Sequence, residues 1–319
     1  MFIIKRGISL FITFLLVMSA IFFLARATGD PFAMILENDP RIPKEAVERL
    51  RARFGLDQPL YMQYINFMIS MFQGEFGHSV YYRKPVFQII MERLPWTLFL
   101  LSISITVSTI GAVLLGAYTA WKRGTRFDLM ATNTSLFVRA MPHFWLGMIF
   151  LLAFGFYLPF FPLFGAISPG KAYSNFFEYA ADVLWHAALP LLTLITRQIG
   201  MYMLYMRSST LEVLGEDFIT TAKAKGLSDR TVLFRHALRN SLLPMVTVTA
   251  LRFGFMVNGA ILTETVFSYP GTGRLIYEAI TNDDYFLLQG AFFITSICVL
   301  VANMFADIIY AYLDPRVKY

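Results

Sequence analysis

The chain has 319 residues, of which 57% are hydrophobic and only 15% are charged. Because soluble domains carry about 25% charged residues, this composition excludes an ordinary soluble protein and indicates an integral membrane protein. Cys298 is the only cysteine, which excludes an intramolecular disulfide and a cysteine metal cluster. The net charge of +6 would suit nucleic acid, but the basic residues are distributed as membrane orientation requires, so no nucleic-acid partner is expected.

Six apolar segments are close to, or longer than, the about 20 residues that a helix needs to cross a bilayer. In lipid the backbone must satisfy its own hydrogen bonds, so each segment is predicted to be a helix. No alternation of polar and apolar residues supports a membrane barrel. The chain is thus predicted to be an all-α integral membrane protein. Its six transmembrane helices are expected near residues 7–27, 94–121, 129–158, 183–206, 241–263 and 285–312.

The first apolar segment has two interpretations. Lys5 and Arg6 precede an apolar run that ends at Ala25-Arg26-Ala27, a pattern that is also typical of a signal peptide with a small-residue cleavage site. The run is longer than the about 7–15 apolar residues of a signal-peptide core. We therefore predict an uncleaved N-terminal transmembrane helix.

Membrane orientation follows from Lys and Arg, which are enriched in short cytoplasmic loops. With the N-terminus in the cytoplasm, the two short outer loops contain only Lys171 and Arg274 as basic residues. Both termini are therefore predicted to be cytoplasmic. The predicted organisation is an N-terminal helix at 1–27, an extracytoplasmic region at 28–93, a five-helix transmembrane domain at 94–312 with a cytoplasmic loop at 207–240, and a cytoplasmic tail at 313–319.

The extracytoplasmic region is predicted to be structured. Its sequence predicts a helix that begins near Pro43 and ends at Gly55. A second, aromatic and amphipathic stretch from Tyr61 to Phe72 is typical of a segment that lies on the membrane surface.

The cytoplasmic loop carries the clearest local signals. Glu216 and Asp217 begin a short helix and Lys223 and Lys225 end it, as the helix dipole favours. Gly226 follows, where a left-handed C-terminal cap is expected. Ser228 is then predicted to cap a second helix, about 229–240. Phe218 and Ala222, four residues apart, are predicted to form the apolar face of the first helix. The loop is over-long for a solvated connector, which is the alternative, so we expect it to dock a partner.

This loop resembles the EAA loop of binding-protein-dependent ABC importers. The matching residues are Thr221–Leu227, His236–Asn240 and Pro244, with Thr220 and Thr221 where the general motif has glutamate and alanine. Four further segments resemble, in the expected order, the B-type permease subunit of dipeptide and oligopeptide importers. They are 53–60, 92–98, 263–275 and 306–318.

The resemblance implies the type I permease fold of ABC importers, in the inner or plasma membrane of a prokaryotic cell. It implies as partners a second homologous permease subunit, two cytoplasmic ATP-binding subunits and an extracytoplasmic substrate-binding protein. ATP and Mg would be used by the ATPases. The chain itself is expected to bind no cofactor and to be no enzyme, since it has no G-x-x-x-x-G-K-[ST] motif. The implied ATPase-coupling residues are Glu216, Asp217, Phe218, Thr220, Thr221, Ala222, Lys223, Ala224, Lys225, Gly226 and Leu227.

Several ionisable residues fall inside or beside predicted spans, where a charge costs at least about 2.5–3.5 kcal/mol. Arg139, Arg197, Arg252 and Glu264 are candidates for the translocation path, where the arginines would attract anionic groups such as peptide carboxylates. The alternative, which we favour from the sequence, is pairing between helices or subunits, for example Arg252 with Glu264 or Arg139 with Asp307.

No metal site is predicted, because no two histidines have ligand spacing. Met201, Met203 and Met206 are interpreted as packing residues rather than a soft-metal path. The resemblance implies peptides as cargo, with oligosaccharides or nickel chelates as alternatives. An ion-coupled secondary transporter is less well supported, because no inverted repeat or broken helix is evident.

Overall fold

The computed structural model describes residues 2–27, 43–53, 55–256 and 260–313. Within these ranges the regular structure is helical, and the only β-type pairing is a single bridge between His78 and Pro85. The all-helical class is therefore confirmed for the described part of the chain.

Fourteen α-helices are described, two of which continue into π-helical turns. They are α1 Phe2–Ala27, α2 Lys44–Arg53, α3 Leu60–Gln73, α4 Val86–Trp121, α5 Arg126–Ala140, α6 His143–Phe150, α7 Phe176–Leu214, α8 Asp217–Ala224, α9 Asp229–Thr231, α10 Leu238–Ser241, α11 Leu243–Phe255, α12 Ile261–Val266, α13 Thr272–Thr281 and α14 Tyr285–Leu313. The π-helical turns are Leu151–Tyr157 after α6 and Val232–Ala237 between α9 and α10.

Within the described ranges, three helices are long and apolar enough to cross a membrane by themselves: α1, α4 and α7. Helix α5 and the helix from His143 to Tyr157 make a fourth span if taken together, although they are bent by 103°. The predicted helix at 129–158 is therefore broken, because Pro142 disfavours a helical residue before it and Met141 is extended, with ψ 136°. Among the residues of α14 whose side chains are described, Tyr285–Val301 is an apolar stretch.

Helices α4 and α7 are longer than their sequence signals, with 36 and 39 residues. At 1.5 Å per residue each exceeds the about 30 Å of a hydrocarbon core. The boundary that we predicted at 93/94 consequently lies inside α4. The helices predicted before α4 agree better: α2 ends at Arg53, close to the predicted stop at Gly55, whose φ is +66°, and α3 covers the predicted amphipathic stretch.

Helices α4 and α7 pack closely against each other in the described core. A Cβ atom built on Gly116 of α4 would lie 2.7 Å from the Met203 carbonyl oxygen of α7. Tyr202, Met203 and Met206 are buried against this face. Further along the same interface, Ser108 donates to the Gln198 amide oxygen at 2.8 Å. Small residues in one helix thus allow backbone approach and an interhelical hydrogen bond.

Hydrogen bonds connect the turn before α4 to α13 and to the start of α14. Asp284, which is 1% exposed, accepts hydrogen bonds from the Ser79 hydroxyl and, at 3.1 Å, from the Tyr81 amide. Tyr82 donates to Glu278, and burial, together with that carboxylate, raises the pKa of Tyr82 to about 12. The phenol therefore stays protonated, and the turn stays attached, across physiological pH.

The α4–α7 contact generates the first prediction. Gly116→Ala should destabilise the protein by about 1–3 kcal/mol, because the added methyl meets backbone that cannot move cheaply. Gly7→Ala in α1 is the matched control, since nothing lies within 4 Å of its Cβ position and alanine is the better helix former. Thermal unfolding of both purified variants checks this, and equal melting temperatures for the two would contradict it.

Candidate coupling loop and central cavity

Helix α8 ends in a Schellman cap. Gly226 has φ +73°, its amide donates to the Lys223 carbonyl at 2.9 Å, and the Leu227 amide donates to the Ala222 carbonyl at 3.4 Å. The left-handed cap predicted at Gly226 is confirmed. No atom lies within 4 Å of a Cβ built on this glycine, so only its backbone conformation restricts the residue type.

The buried face of α8 differs from the predicted one. Ile219 and Ala222 are 1% and 5% exposed, whereas Phe218 is 41% exposed. The prediction that Phe218 forms the apolar face together with Ala222 is therefore wrong for Phe218 and right for Ala222. Ile219 faces inward because α8 packs on the π-helical segment that follows, through Val232, Leu233 and Ala237.

The second helix of the loop begins as predicted. The Ser228 hydroxyl accepts from the Thr231 amide at 3.4 Å, which confirms the cap. The helix then passes through the π-helical turns into α10. There the Ser241 carbonyl accepts from Ser209 of α7 at 2.9 Å. The loop is thereby attached to α7 at its far end as well as at its start.

The solvent side of the loop is polar with apolar residues among the charges. Phe218, Leu227 and Phe234 are 41%, 38% and 50% exposed. Of the residues that the sequence predicts to couple to an ATPase, only Ala222 is buried. The exposed ones are Glu216, Asp217, Phe218, Thr220, Thr221, Lys223, Ala224, Lys225, Gly226 and Leu227. Exposed apolar residues on a polar loop are typical of a contact surface, and the coupling role itself stays a prediction.

An ion pair that the sequence analysis did not predict stabilises α7 at the start of the loop. Arg207 of α7 donates from Nε to Asp128 Oδ1 at 2.7 Å and from Nη2 to Oδ2 at 2.9 Å. Asp128, which is 3% exposed, also accepts from the Gly124 amide at 2.9 Å. Its position three residues after the N-cap Thr125 is the available signal, since acidic residues favour that first turn. The partner in α7 has no local signal.

The three predicted intramembrane arginines line a single cavity. The cavity has a volume of about 710 Å³, compared with about 410 Å³ for the pocket beside Arg26. Arg139 comes from α5, Arg197 from α7 and Arg252 from α11. Helices that are distant in sequence thus place three guanidinium groups around one space.

The pairing that we favoured from the sequence is not seen. In the described part of the chain, none of these arginines forms an ion pair with a carboxylate. The polar contact of Arg252 is a long one, 4.0 Å to Met201 Sδ. The Asp307 side chain lies outside what the structure describes, so its predicted pairing with Arg139 is not tested.

Glu264 lies away from the cavity lining and is fully buried. Its carboxylate accepts from the Thr97 hydroxyl at 2.9 Å and from the backbone amides of Ala260 at 3.2 Å and Arg274 at 2.9 Å. These bonds tie α4, α12 and α13 together. The predicted pairing with Arg252 is therefore wrong, and the geometry gives Glu264 a structural role rather than a place beside the arginines.

The histidines and methionines that the sequence analysis considered lie in different surroundings. No group of three metal-binding side chains occurs among the described residues. His143 lines the cavity and its Nε2 is engaged with the Thr263 hydroxyl at 3.1 Å. Met203 and Met206 pack in the core, while Met201 lines the cavity.

The Asp128–Arg207 pair generates the second prediction. Asp128→Asn should lower the free energy of unfolding by about 1.5–3 kcal/mol, because it removes hydrogen bonds to a charged, largely buried group. Glu178→Gln is the control: its partner Lys171 is 3.4 Å away and both side chains are more than a third exposed, so solvent screens the pair and a clearly smaller loss is expected. Thermal unfolding of both variants measures the two losses. A larger loss of stability in Glu178→Gln than in Asp128→Asn would refute the stabilising role of the Asp128–Arg207 pair.

Comparison with known proteins places this architecture. Residues 112–319 match the family described as binding-protein-dependent transport system inner membrane component, and residues 1–101 match the N-terminal part described for the same kind of component. The chain is 34% identical to the oligopeptide transport system permease protein AppB of Bacillus subtilis, over 92% of this chain and 91% of that protein.

Two further relatives are similarly complete. The dipeptide transport system permease protein DppB of Escherichia coli K12 is 34% identical, and the di/tripeptide transport system permease protein DppB of Pseudomonas aeruginosa is 36% identical. Each alignment covers 91% of this chain and 90% of the relative. The chain therefore belongs to the family of binding-protein-dependent transport system inner membrane components.

Proposed function

We propose that this chain is one of two permease subunits of an ATP-driven importer, and forms half of the pathway for peptides delivered by an extracytoplasmic binding protein. The relatives named for oligopeptide, dipeptide and di/tripeptide transport support the choice of cargo. Two cytoplasmic ATPases bind and hydrolyse ATP with Mg, and this chain contributes no catalytic residue and binds no cofactor.

The observation that carries the proposal is the continuity of α7. This one helix holds Arg197 at the cavity and Arg207 at the ion pair with Asp128, and it ends at Leu214. Helix α8 begins at Asp217, with only two residues between the helices. A displacement of the loop by a docked ATPase is therefore passed to the cavity through a single rigid element.

Burial makes the loop a stiff connection. Ile219 is almost wholly buried in the cluster that includes Met203 and Met206 of α7. Burying an isoleucine side chain contributes about 1.5–3 kcal/mol, and the hydrogen bond from Ser209 to Ser241 adds a second attachment. In the proposed mechanism the ATPase contacts the exposed residues of α8, and closure of the two ATPases moves α8 together with α7.

The proposal includes six membrane crossings with both termini in the cytoplasm. They are α1, α4, the bent α5–α6 segment, α7, the segment that begins with α11, and α14. The region before α4, including α2 and α3, lies outside the membrane and faces the binding protein. The basic loop around α8 then faces the ATPases.

Peptides suit the cavity better than the alternative cargoes. Three guanidinium groups have charged partners in peptide carboxylates, whereas a neutral oligosaccharide offers only uncharged hydroxyl groups. The volume of about 710 Å³ falls within the about 300–1,000 Å³ of small-molecule sites. An ion-coupled transporter would leave the exposed loop without a purpose.

Gly226 provides the third prediction. Gly226→Val should leave the complex assembled but lower peptide uptake per ATP hydrolysed by about tenfold, since a β-branched residue strains the left-handed cap. Gly226→Asn should remain close to wild type, because asparagine tolerates that conformation. Uptake and ATP hydrolysis are measured in vesicles that contain the importer and its binding protein. Normal uptake by the valine variant would refute the coupling role of α8.

Orientation provides the fourth prediction. Cys298 is the only cysteine, so Cys298→Ser gives a background without thiols. In that background Lys225→Cys should react with a membrane-impermeant maleimide only in inside-out vesicles. Ala172→Cys should react only in right-side-out spheroplasts. Both positions are solvent-exposed. The opposite labelling pattern would invert the topology and separate the loop from any cytoplasmic ATPase.

A further inference from the structure

We propose that the central cavity is a carboxylate-binding site, in which Arg139, Arg197, Arg252 and the hydroxyl of Tyr202 hold the C-terminal carboxylate of a peptide in transit. The inference rests on the proposed function and goes further, because it assigns a binding site to the permease itself. Selection would then occur twice, once at the binding protein and once in the membrane.

The charge of the cavity is the first support. Three guanidinium groups line one space, and no carboxylate in the described part of the chain forms an ion pair with them. Cations at membrane depth are costly unless an anion or water compensates them. A carboxylate compensates them best, because its two oxygens match the donor fork of a guanidinium group.

The second support is an independent one, the Tyr202 hydroxyl. Tyr202 lines the cavity and is 1% exposed, and its hydroxyl is enclosed without a hydrogen-bond partner in the described structure. An enclosed hydroxyl without a partner is unfavourable. A carboxylate bound among the arginines would accept a hydrogen bond from it, so the same ligand satisfies both observations.

The other polar groups of the lining already have partners. Gln198 accepts from Ser108 at 2.8 Å, and His143 is engaged with Thr263 at 3.1 Å. The rest of the lining is mostly apolar, including Leu101, Ile105 and Leu194. The groups that remain for a ligand are three guanidinium cations and a hydroxyl that can donate, which favours an anion over a cation or a neutral sugar.

The three arginines lie on three different helices, which has a consequence for release of the bound carboxylate. Arg139, Arg197 and Arg252 are carried by α5, α7 and α11. A shift of α7 relative to the other two helices separates Arg197 from its neighbours. The carboxylate would then lose one of its three cations in the step that opens the cavity to the cytoplasm.

The experiment measures binding to the complete importer in nanodiscs, without binding protein, by saturation-transfer NMR. The probes are trialanine and trialanine amide, which differ only in the C-terminal charge. We expect the wild type to bind trialanine at least about tenfold more tightly than the amide. Arg197→Met and Arg252→Met should each weaken trialanine binding by about tenfold or more and leave amide binding unchanged.

Two milder variants and one control complete the design. Tyr202→Phe removes a single oxygen and should weaken trialanine binding several-fold. Arg197→Lys keeps the charge and should retain more binding than the methionine variant. Arg123→Met is the control, because Arg123 is exposed beyond the end of α4, and its binding should match wild type.

Three outcomes would overturn the inference: equal binding of the two probes by wild type, unchanged trialanine binding in the arginine variants, or loss of the partner permease from those variants on gel filtration. The last would mean that the arginines pair with carboxylates of the other subunit. Peptide uptake with the binding protein present tests the proposed function separately. If the wild type imports no peptide but still prefers trialanine to its amide, the proposed function fails and the anion site stands.

Discussion

The contact of α4 with α7 is the constraint on which the rest of the structure depends. It is close because Gly116 has no side chain where the α7 backbone passes. In a membrane the attraction between helices comes from such packing and from hydrogen bonds, not from expulsion of water. The same pair of helices buries α8 at one end and lines the cavity at the other. The cavity and the loop are thus two ends of one packed unit.

Features that depend on a few neighbouring residues could be predicted from the sequence. The left-handed Gly226, the Ser228 cap and the left-handed Gly55 that follows α2 all depend on local backbone chemistry. The buried face of α8 could not be predicted in this way. Both Phe218 and Ile219 are apolar, and which of them is buried depends on where Val232 and Leu233 pack.

One physical reason explains why the helix lengths were predicted wrongly and why the arginine cavity was predicted only in part. Hydropathy detects the apolar part of a helix, so it missed the ends of α4 and α7, whose lengths exceed a hydrocarbon core. It placed Arg139, Arg197 and Arg252 in predicted spans but could not show that they meet. Their convergence is tertiary, and so is the attachment of Glu264 to Thr97 rather than to Arg252.

Two arginines of α7 differ in whether an ion pair neutralises their charge. Arg207 has a permanent bidentate partner in Asp128, which holds α7 against the start of α5. Arg197 lies ten residues earlier, about 15 Å along the axis, and faces the cavity without an ion-pair partner in the described chain. A neutralised charge contributes stiffness, whereas an unneutralised one in a low-dielectric space attracts an anion strongly. Arg207 and Arg197 belong to one continuous helix, so movement at Arg207 also moves Arg197. The proposed coupling of an ATPase to cargo requires such a connection.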